Sequence, residues 1–288
     1  MRKAICTALA LVAALAVGVP VLAWGPTAHT LIAQNAFELL PPEIKPFYDA
    51  NSRYMLAFVM LPDDWRDTHK DEIGARHYVN LDLLDSPPFA KLSEDRKALE
   101  ASFGKEKLQS AGMLPWAVEE HYAKLVEALR AHDAEAMVLQ SALLAHYVGD
   151  AHVPFHSTKD YDGKTPEQKG IHFRWEENLV ALRLKPESVR PGKPESITDI
   201  LRSAFGWCID SYGYIDPILK ADDKARASAA GYSYRYFRSL YEDTGSILTG
   251  QLSRAAEALA GVYISAWKEA GKPKLEGKVA PIMWDERK

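Results

Sequence analysis

The stretch Leu143 to His156, LLAHYVGDAHVPFH, constrains this chain more than any other. It sets His146, Asp150, His152 and His156 among apolar neighbours. A helix running to about His152 puts His146 and Asp150 one turn apart on one face. Pro154 ends that helix and lets His156 fold back toward the same side. A His and an Asp one turn apart, followed by a second His, is metal-ligand geometry. The plainer alternative is a core helix with a few satisfied histidines. Against it, several ionisable groups beside an apolar run need a partner.

Both ends of the chain read differently from its middle. Arg2 and Lys3 precede a mostly apolar run from about Ala4 to Leu22, which ends at Val21-Leu22-Ala23. This reads as a signal peptide cut after Ala23, so Trp24 becomes the first residue and the protein is secreted or periplasmic. Residues 1–23 are then the signal, 24–271 one helical domain, and 272–288 a charged, loose tail. After cleavage the protein is not an integral membrane protein. Removing Arg2 and Lys3 takes the formal charge from −4 to −6. A duplex-DNA binder working through a broad basic face would carry the opposite sign. Cys6 leaves with the signal, so only Cys208 remains. No cysteine cluster can hold a metal, and any ion must sit on His, Asp and Glu.

Along the chain the pattern is helical throughout. Pro26 suits the first turn of a helix that ends at Pro41-Pro42. Short helices are expected over Glu43–Tyr48 and Ser52–Leu61, with Pro62-Asp63-Asp64 breaking the second. Residues 65–92 read as a long irregular segment carrying His69 and HYVNLD; loops of that length are usually functional or disordered. Helices follow from Ser93-Glu94-Asp95, over Trp116 to about His132, and from an Asp133 cap into the opening stretch. Thr158–Gly170 is a loop, and helix resumes through HFRWEENLVALRL. The remainder divides into Ile197–Ile218, Lys224–Glu242 and Ser246–Ala270. No repeat, phosphate loop or alternating strand pattern is present, so the fold is all-α, a single helical domain with long functional loops.

The chemistry-bearing positions fall at a few points in order. They are Trp24 and His29, then Asp63, then His77 in HYVN, then His146, Asp150 and His156, and finally His172 and Glu176. The last two repeat the one-turn His-carboxylate spacing on the next helix. Two such pairs, joined by His156 inside a bundle, point to a multinuclear zinc site with oxygen and nitrogen ligands. His121 and His132 read as solvated helix residues, and His69 and His152 as candidates to support the ligands. Asp64 remains a rival to Asp63.

With these residues in this order, the chain resembles the bacterial zinc-dependent phospholipases C and the related single-strand-specific zinc nucleases (nuclease P-one type). The shared pattern is supplied by Trp24, His29, Asp63, His77, HYVGDAHVPFH and HFRWE, across nearly the whole mature chain. The resemblance implies an all-helical fold holding three Zn²⁺. One ion would take Asp63, His77, His146 and Asp150. A second would take His156, His172 and Glu176. The third would take His29, Asp150 and the amine and carbonyl of Trp24, so that Asp150 bridges. It also implies that Asp63 orients a nucleophilic water and that Arg66, three residues on, stabilises the leaving phosphate. A site of this kind keeps a cationic pocket inside an acidic protein and suits a phosphate diester.

Substrate features point two ways. The short segment between His156 and His172, and Glu176 in place of Asp, resemble the phospholipases C. WGPTAH and PDDWR resemble the nucleases. The first reading is therefore a phosphodiesterase of phospholipase C type acting on a phospholipid head group. The alternative is a nuclease or 3′-nucleotidase taking single-stranded nucleic acid or nucleotides, with bases stacking on Trp65, Tyr78 or Phe155. A non-catalytic zinc-binding protein is the third. No protein partner is implied.

Overall fold

A helix that is apolar on every side has to be surrounded by other elements. Ala134–Ala151 is such a helix, buried almost without interruption from Ser141 to Ala151. A computed structural model of the chain, which describes residues 24–68, 73–276 and 278–279, shows how it is enclosed. Residues 1–23, where the signal is expected, His69 and residues 280–288 lie outside the described residues.

In chain order the helices are α1 (Pro26–Glu38), α2 (Lys45–Phe58), α3 (Leu61–Thr68), α4 (Arg96–Phe103), α5 (Lys105–Ala111), α6 (Leu114–Ala131) and α7 (Ala134–Ala151). Three consecutive segments, Ile171–Phe173, the π-turn Arg174–Asn178 and Leu179–Arg183, together make α8. α9 (Ile200–Tyr212), α10 (Ile215–Ser228) and the long α11 (Tyr234–Glu269) complete the fold. The molecule is 71% helical with no strand among the described residues, which is the all-α class expected. α7 packs against α1, α2, α6, α9 and α11 and so forms the axis of the bundle.

Several boundaries differ from the sequence expectation, each for a local reason. The two short helices foreseen around residue 50 are one helix, α2. Asn51 Nδ2 donates to Phe47 O at 2.9 Å, and Ser52 Oγ to Asp49 O at 2.9 Å. These polar side chains bond back onto the helix instead of ending it. Pro62 opens α3, because a first-turn residue needs no N–H partner. Asp63 therefore lies in the first turn of a helix, where a carboxylate is favoured by the dipole. The break foreseen near Gly245 is absent. Thr244 Oγ1 donates to Leu240 O, and α11 runs unbroken for 36 residues against α1, α6, α7 and α10. The break comes earlier, at residues 229–233, where Gly231 has φ +58°. Likewise Ile197–Ile218 divides at Gly213 into α9 and α10.

Asp133 caps α7 as expected, its Oδ1 accepting from Ala136 N at 3.0 Å. Val279 is buried, and its N–H donates to Asn51 Oδ1. No helix among the described residues is long and apolar enough to cross a membrane.

Candidate metal centre

Six elements bring the sequence-selected residues to one place at the C-terminal end of α7: α1, α3, the 3₁₀ turn Ala75–His77, α7, the 3₁₀ turn Pro154–Ser157 and α8. From α1, His29 reaches α7 because Gly149 has no side chain: a Cβ there would lie 2.8 Å from His29 Nδ1. Trp24, fully buried before α1, donates its Nε1–H to Gly149 O at 3.1 Å and stacks near Trp175 at 5.3 Å. Gly149→Ala is expected to displace His29, lower stability by about 1–3 kcal/mol through overpacking, and weaken metal retention. Urea titration with and without zinc checks it.

His146 and Asp150 share a face of α7, as their spacing predicts. The His146 Nδ1–H donates to Val59 O at 2.9 Å. Its Nε2 is thereby turned into the site, 3.3 Å from Asp150 Oδ2 and 3.0 Å from His77 Nδ1. His77 sits on a 3₁₀ turn, Ala75–His77, with Nδ1 3.0 Å from Asp150 Oδ2 and 3.7 Å from Asp63 Oδ1. The other Asp150 oxygen, Oδ1, lies 3.4 Å from His29 Nε2 and 3.8 Å from His156 Nδ1. Each carboxylate oxygen of Asp150 thus faces a different set of imidazoles.

Beyond Pro154 the chain folds back, as expected. The His156 Nδ1–H donates to His77 O, which leaves its Nε2 3.8 Å from Glu176 Oε2. His172 Nε2 is 2.8 Å from Glu176 Oε1. A backbone carbonyl that holds one ring nitrogen and so aims the other is the usual support of a ligating histidine.

The π-turn in α8 carries Glu176, and π-turns concentrate at functional sites. It is held by buried Arg174, which donates to Tyr236 Oη at 3.0 Å, Lys169 O at 2.6 Å and Asp222 Oδ1 at 3.1 Å. Asp63 is buried whereas Asp64 is exposed, so the structure places Asp63 at the cluster. Arg66 Nη1 is 3.8 Å from Asp63 Oδ1.

Potential ligand atoms lie within 4.8 Å of one another in three groups: His29, His146 and Asp150; Asp63, His77 and His146; and His156, His172 and Glu176. Both nitrogens of His29 and His172, and both oxygens of Asp63 and Glu176, are buried without a hydrogen bond, as are His77 Nε2 and Asp150 Oδ1. Native proteins leave few such atoms, and each calls for an explanation. The electrostatics point the same way. Burial keeps His156 and His172 neutral, pushing them to about 3 and about 4. Burial, then repulsion from Asp150 and Glu177, drives Glu176 well above the usual carboxylate range. Burial also opposes the charge on Asp150, but His146 and His156 hold it well below that range. Imidazoles, with His156 and His172 held neutral, around carboxylates that crowd one another form a donor set for a multiply charged cation. With no thiolate in the set, the His and carboxylate donors fit zinc.

Three residues of the cluster, His77, His156 and His172, line a cavity of about 1230 Å³. Arg66, Arg76, Arg96 and Lys105 line its walls, against Glu106 and Glu120. Of the aromatic residues named as stacking candidates, Tyr78 and Phe155 line the cavity, and Phe155 is buried against His172 and Trp175. Trp65 is partly buried and does not line it. Tyr161, not singled out from sequence, is 47% exposed and lies edge-on to His172 at 5.9 Å.

His121, expected on the solvent side, is buried instead. It is stacked on Tyr147 at 5.3 Å, and its Nδ1–H donates to Gln140 Oε1 at 2.7 Å. The Gln140 contact pulls the ring into the α6–α7 seam. His152 is also buried, with its Nδ1–H on Val148 O and its ring beside Trp207. It closes the end of α7. His132 takes the left-handed conformation after α6 and is exposed, as expected.

Comparison with known proteins places these residues in a family context. The S1/P1 nuclease family profile matches residues 24–179, an interval that contains every residue of the cluster. No curated protein matches significantly. The match favours the nuclease side of the resemblance over the phospholipase C reading drawn from Glu176 and the short His156–His172 segment.

Proposed function

Because the chain belongs to the S1/P1 nuclease family, whose members are zinc-dependent phosphodiester hydrolases, we propose that it is an exported zinc nuclease acting on single-stranded nucleic acid, with 3′-nucleotidase activity on nucleotides. The observation that carries this reading is the buried cluster of imidazole and carboxylate atoms without hydrogen-bond partners, whose His77, His156 and His172 line a cavity that also carries Arg66, Arg76, Arg96 and Lys105. Guanidinium and ammonium groups on the cavity wall suit phosphates, and the Tyr78 and Tyr161 rings beside them suit bases.

Three ions are proposed. Asp63, His77, His146 and Asp150 would hold one, His156, His172 and Glu176 the second, and His29, Asp150 and the freed amine and carbonyl of Trp24 the third. Bound zinc supplies a water pKa near ~7 and Lewis-acid neutralisation of charge on phosphorus-bound oxygens. The chain's own groups do the rest. An Asp63 oxygen accepts the proton of the attacking water and orients its lone pair toward phosphorus. The Arg66 guanidinium, held beside Asp63, donates to the oxygens that gain charge as the ester bond breaks. The His77 and Val59 carbonyls keep His156 and His146 in fixed tautomers. Tyr78 and Tyr161 offer ring faces to unstacked bases at the cavity mouth. A duplex, whose bases are already stacked on one another, has none to offer.

The test is hydrolysis of single-stranded DNA and of phosphatidylcholine, side by side, by the zinc-loaded protein starting at Trp24. Cleavage of DNA alone is expected. Cleavage of the lipid alone would return the function to the phospholipase C type, and hydrolysis of neither with zinc bound would mark a non-catalytic zinc protein.

A further inference from the structure

Arg76 immediately precedes the ligand His77 on the 3₁₀ turn, and its side chain lines the cavity. It is held from three sides. Its Nη1–H donates to Glu120 Oε2 at 2.9 Å, and its Nη2–H to His121 Nε2 at 3.0 Å. Its guanidinium carbon stands 5.6 Å from the centre of the Tyr147 ring.

The second of these contacts fixes a tautomer. For Nε2 to accept from Arg76, His121 must be neutral with its proton on Nδ1, and Nδ1 is the atom that meets Gln140 Oε1 at 2.7 Å. Burial keeps the ring neutral at pH 7. A part-buried Gln–His pair, with the His stacked on Tyr147, thus orients one arginine. The negative charge facing it is diluted, because Glu120 Oε1 is also taken by Lys124 at 2.6 Å. The guanidinium has five N–H donors, more than Glu120 and His121 take.

We propose that Arg76 binds a second phosphate of the substrate, distinct from the one attacked at the metal cluster. The inference rests on the nuclease reading and narrows it: the preferred substrate is a chain with at least two phosphates. A fixed planar fork suits a phosphate diester better than a flexible ammonium would. Arg96 and Lys105 line the same cavity and add to its positive charge.

The test compares wild type, Arg76→Ala and Arg76→Lys, zinc-loaded and starting at Trp24. The substrates are a single-stranded oligothymidylate and bis(p-nitrophenyl) phosphate, which carries one phosphate. For the oligonucleotide, Arg76→Ala is expected to raise KM between about 10- and 100-fold, the loss of a charged hydrogen-bonded contact. The loss in kcat/KM on bis(p-nitrophenyl) phosphate is expected to be at least about tenfold smaller. The slope of log kcat/KM against log salt for the oligonucleotide should fall by about 0.7. Arg76→Lys keeps the charge, so it should retain the slope while losing part of the KM effect. It also serves as the folded control should the alanine variant be unstable. Equal losses on both substrates, or an unchanged salt slope in Arg76→Ala, would overturn the proposal. Wild-type cleavage of bis(p-nitrophenyl) phosphate with no cleavage of any oligonucleotide would instead overturn the nuclease reading beneath it.

Discussion

Asp150→Asn is expected to remove two metal ions from the protein, whereas His156→Ala removes one. The difference follows from the two oxygens of Asp150. Oδ2 faces His77 and His146, and Oδ1 faces His29. One carboxylate therefore completes two ligand sets. An asparagine keeps the shape but lacks the charge, and its amide nitrogen cannot ligate. His156 by contrast meets only the His172 and Glu176 group through its Nε2. Activity of Asp150→Asn should fall by more than about 10³-fold, since an ion that stabilises developing charge contributes several kcal/mol. Zinc content by elemental analysis, with far-UV circular dichroism to show that the helices remain, checks it. Loss of equal zinc in the two variants would show that Asp150 serves one site only.

One additional residue before Trp24 is expected to cost one zinc ion and at least about 10²-fold in activity. Trp24 is fully buried, tied to Gly149 O and packed on Trp175. Its indole is consequently fixed against the C-terminal end of α7, which carries Asp150. The space around it is closed: a Cβ on the adjacent Gly25 would lie 2.2 Å from Glu177 Oε1. An extra residue converts the α-amine to an amide, which has no lone pair available for a metal. On the proposal that Trp24 becomes the first residue by cleavage after Ala23, the centre is completed only on export, and the unprocessed chain is a poor enzyme. Mass spectrometry of the intact metal-loaded protein, with and without Ala23 retained, reads the ion count directly. Three ions and full activity in the extended form would remove Trp24 from the ligand set.

The residues of this centre were legible in the sequence because ligation imposes spacing. His146 and Asp150, and His172 and Glu176, stand one helical turn apart, and a helix converts that interval into adjacency. Pro154 was readable for a similar reason, since its ring forces the turn that brings His156 back. The fold class followed from helical periodicity with no strand pattern. What stayed hidden depended on contacts distant in sequence. Pro62 reads equally as a helix end or a helix start, and only the packing of α3 decides. Gly245 looks like a break until α11 is seen clamped by the helices packed along it. His121 looks solvated because Glu119 and Glu120 precede it. Its burial depends on Gln140 and Tyr147 of α7, which no local pattern relates to α6. The π-turn at Glu176 has no sequence signature that helical periodicity could have detected.

The buried imidazole and carboxylate atoms without hydrogen-bond partners around Asp150 are proposed to be a zinc centre. Crystals of the protein starting at Trp24, grown with zinc and measured on either side of the zinc absorption edge, test it most directly. Three anomalous peaks are expected. Two should share Asp150, one lying toward His77 and one toward His29, and the third should lie between His156, His172 and Glu176. No peak within this cluster, in crystals where zinc is bound elsewhere, would show that these residues do not form a zinc centre.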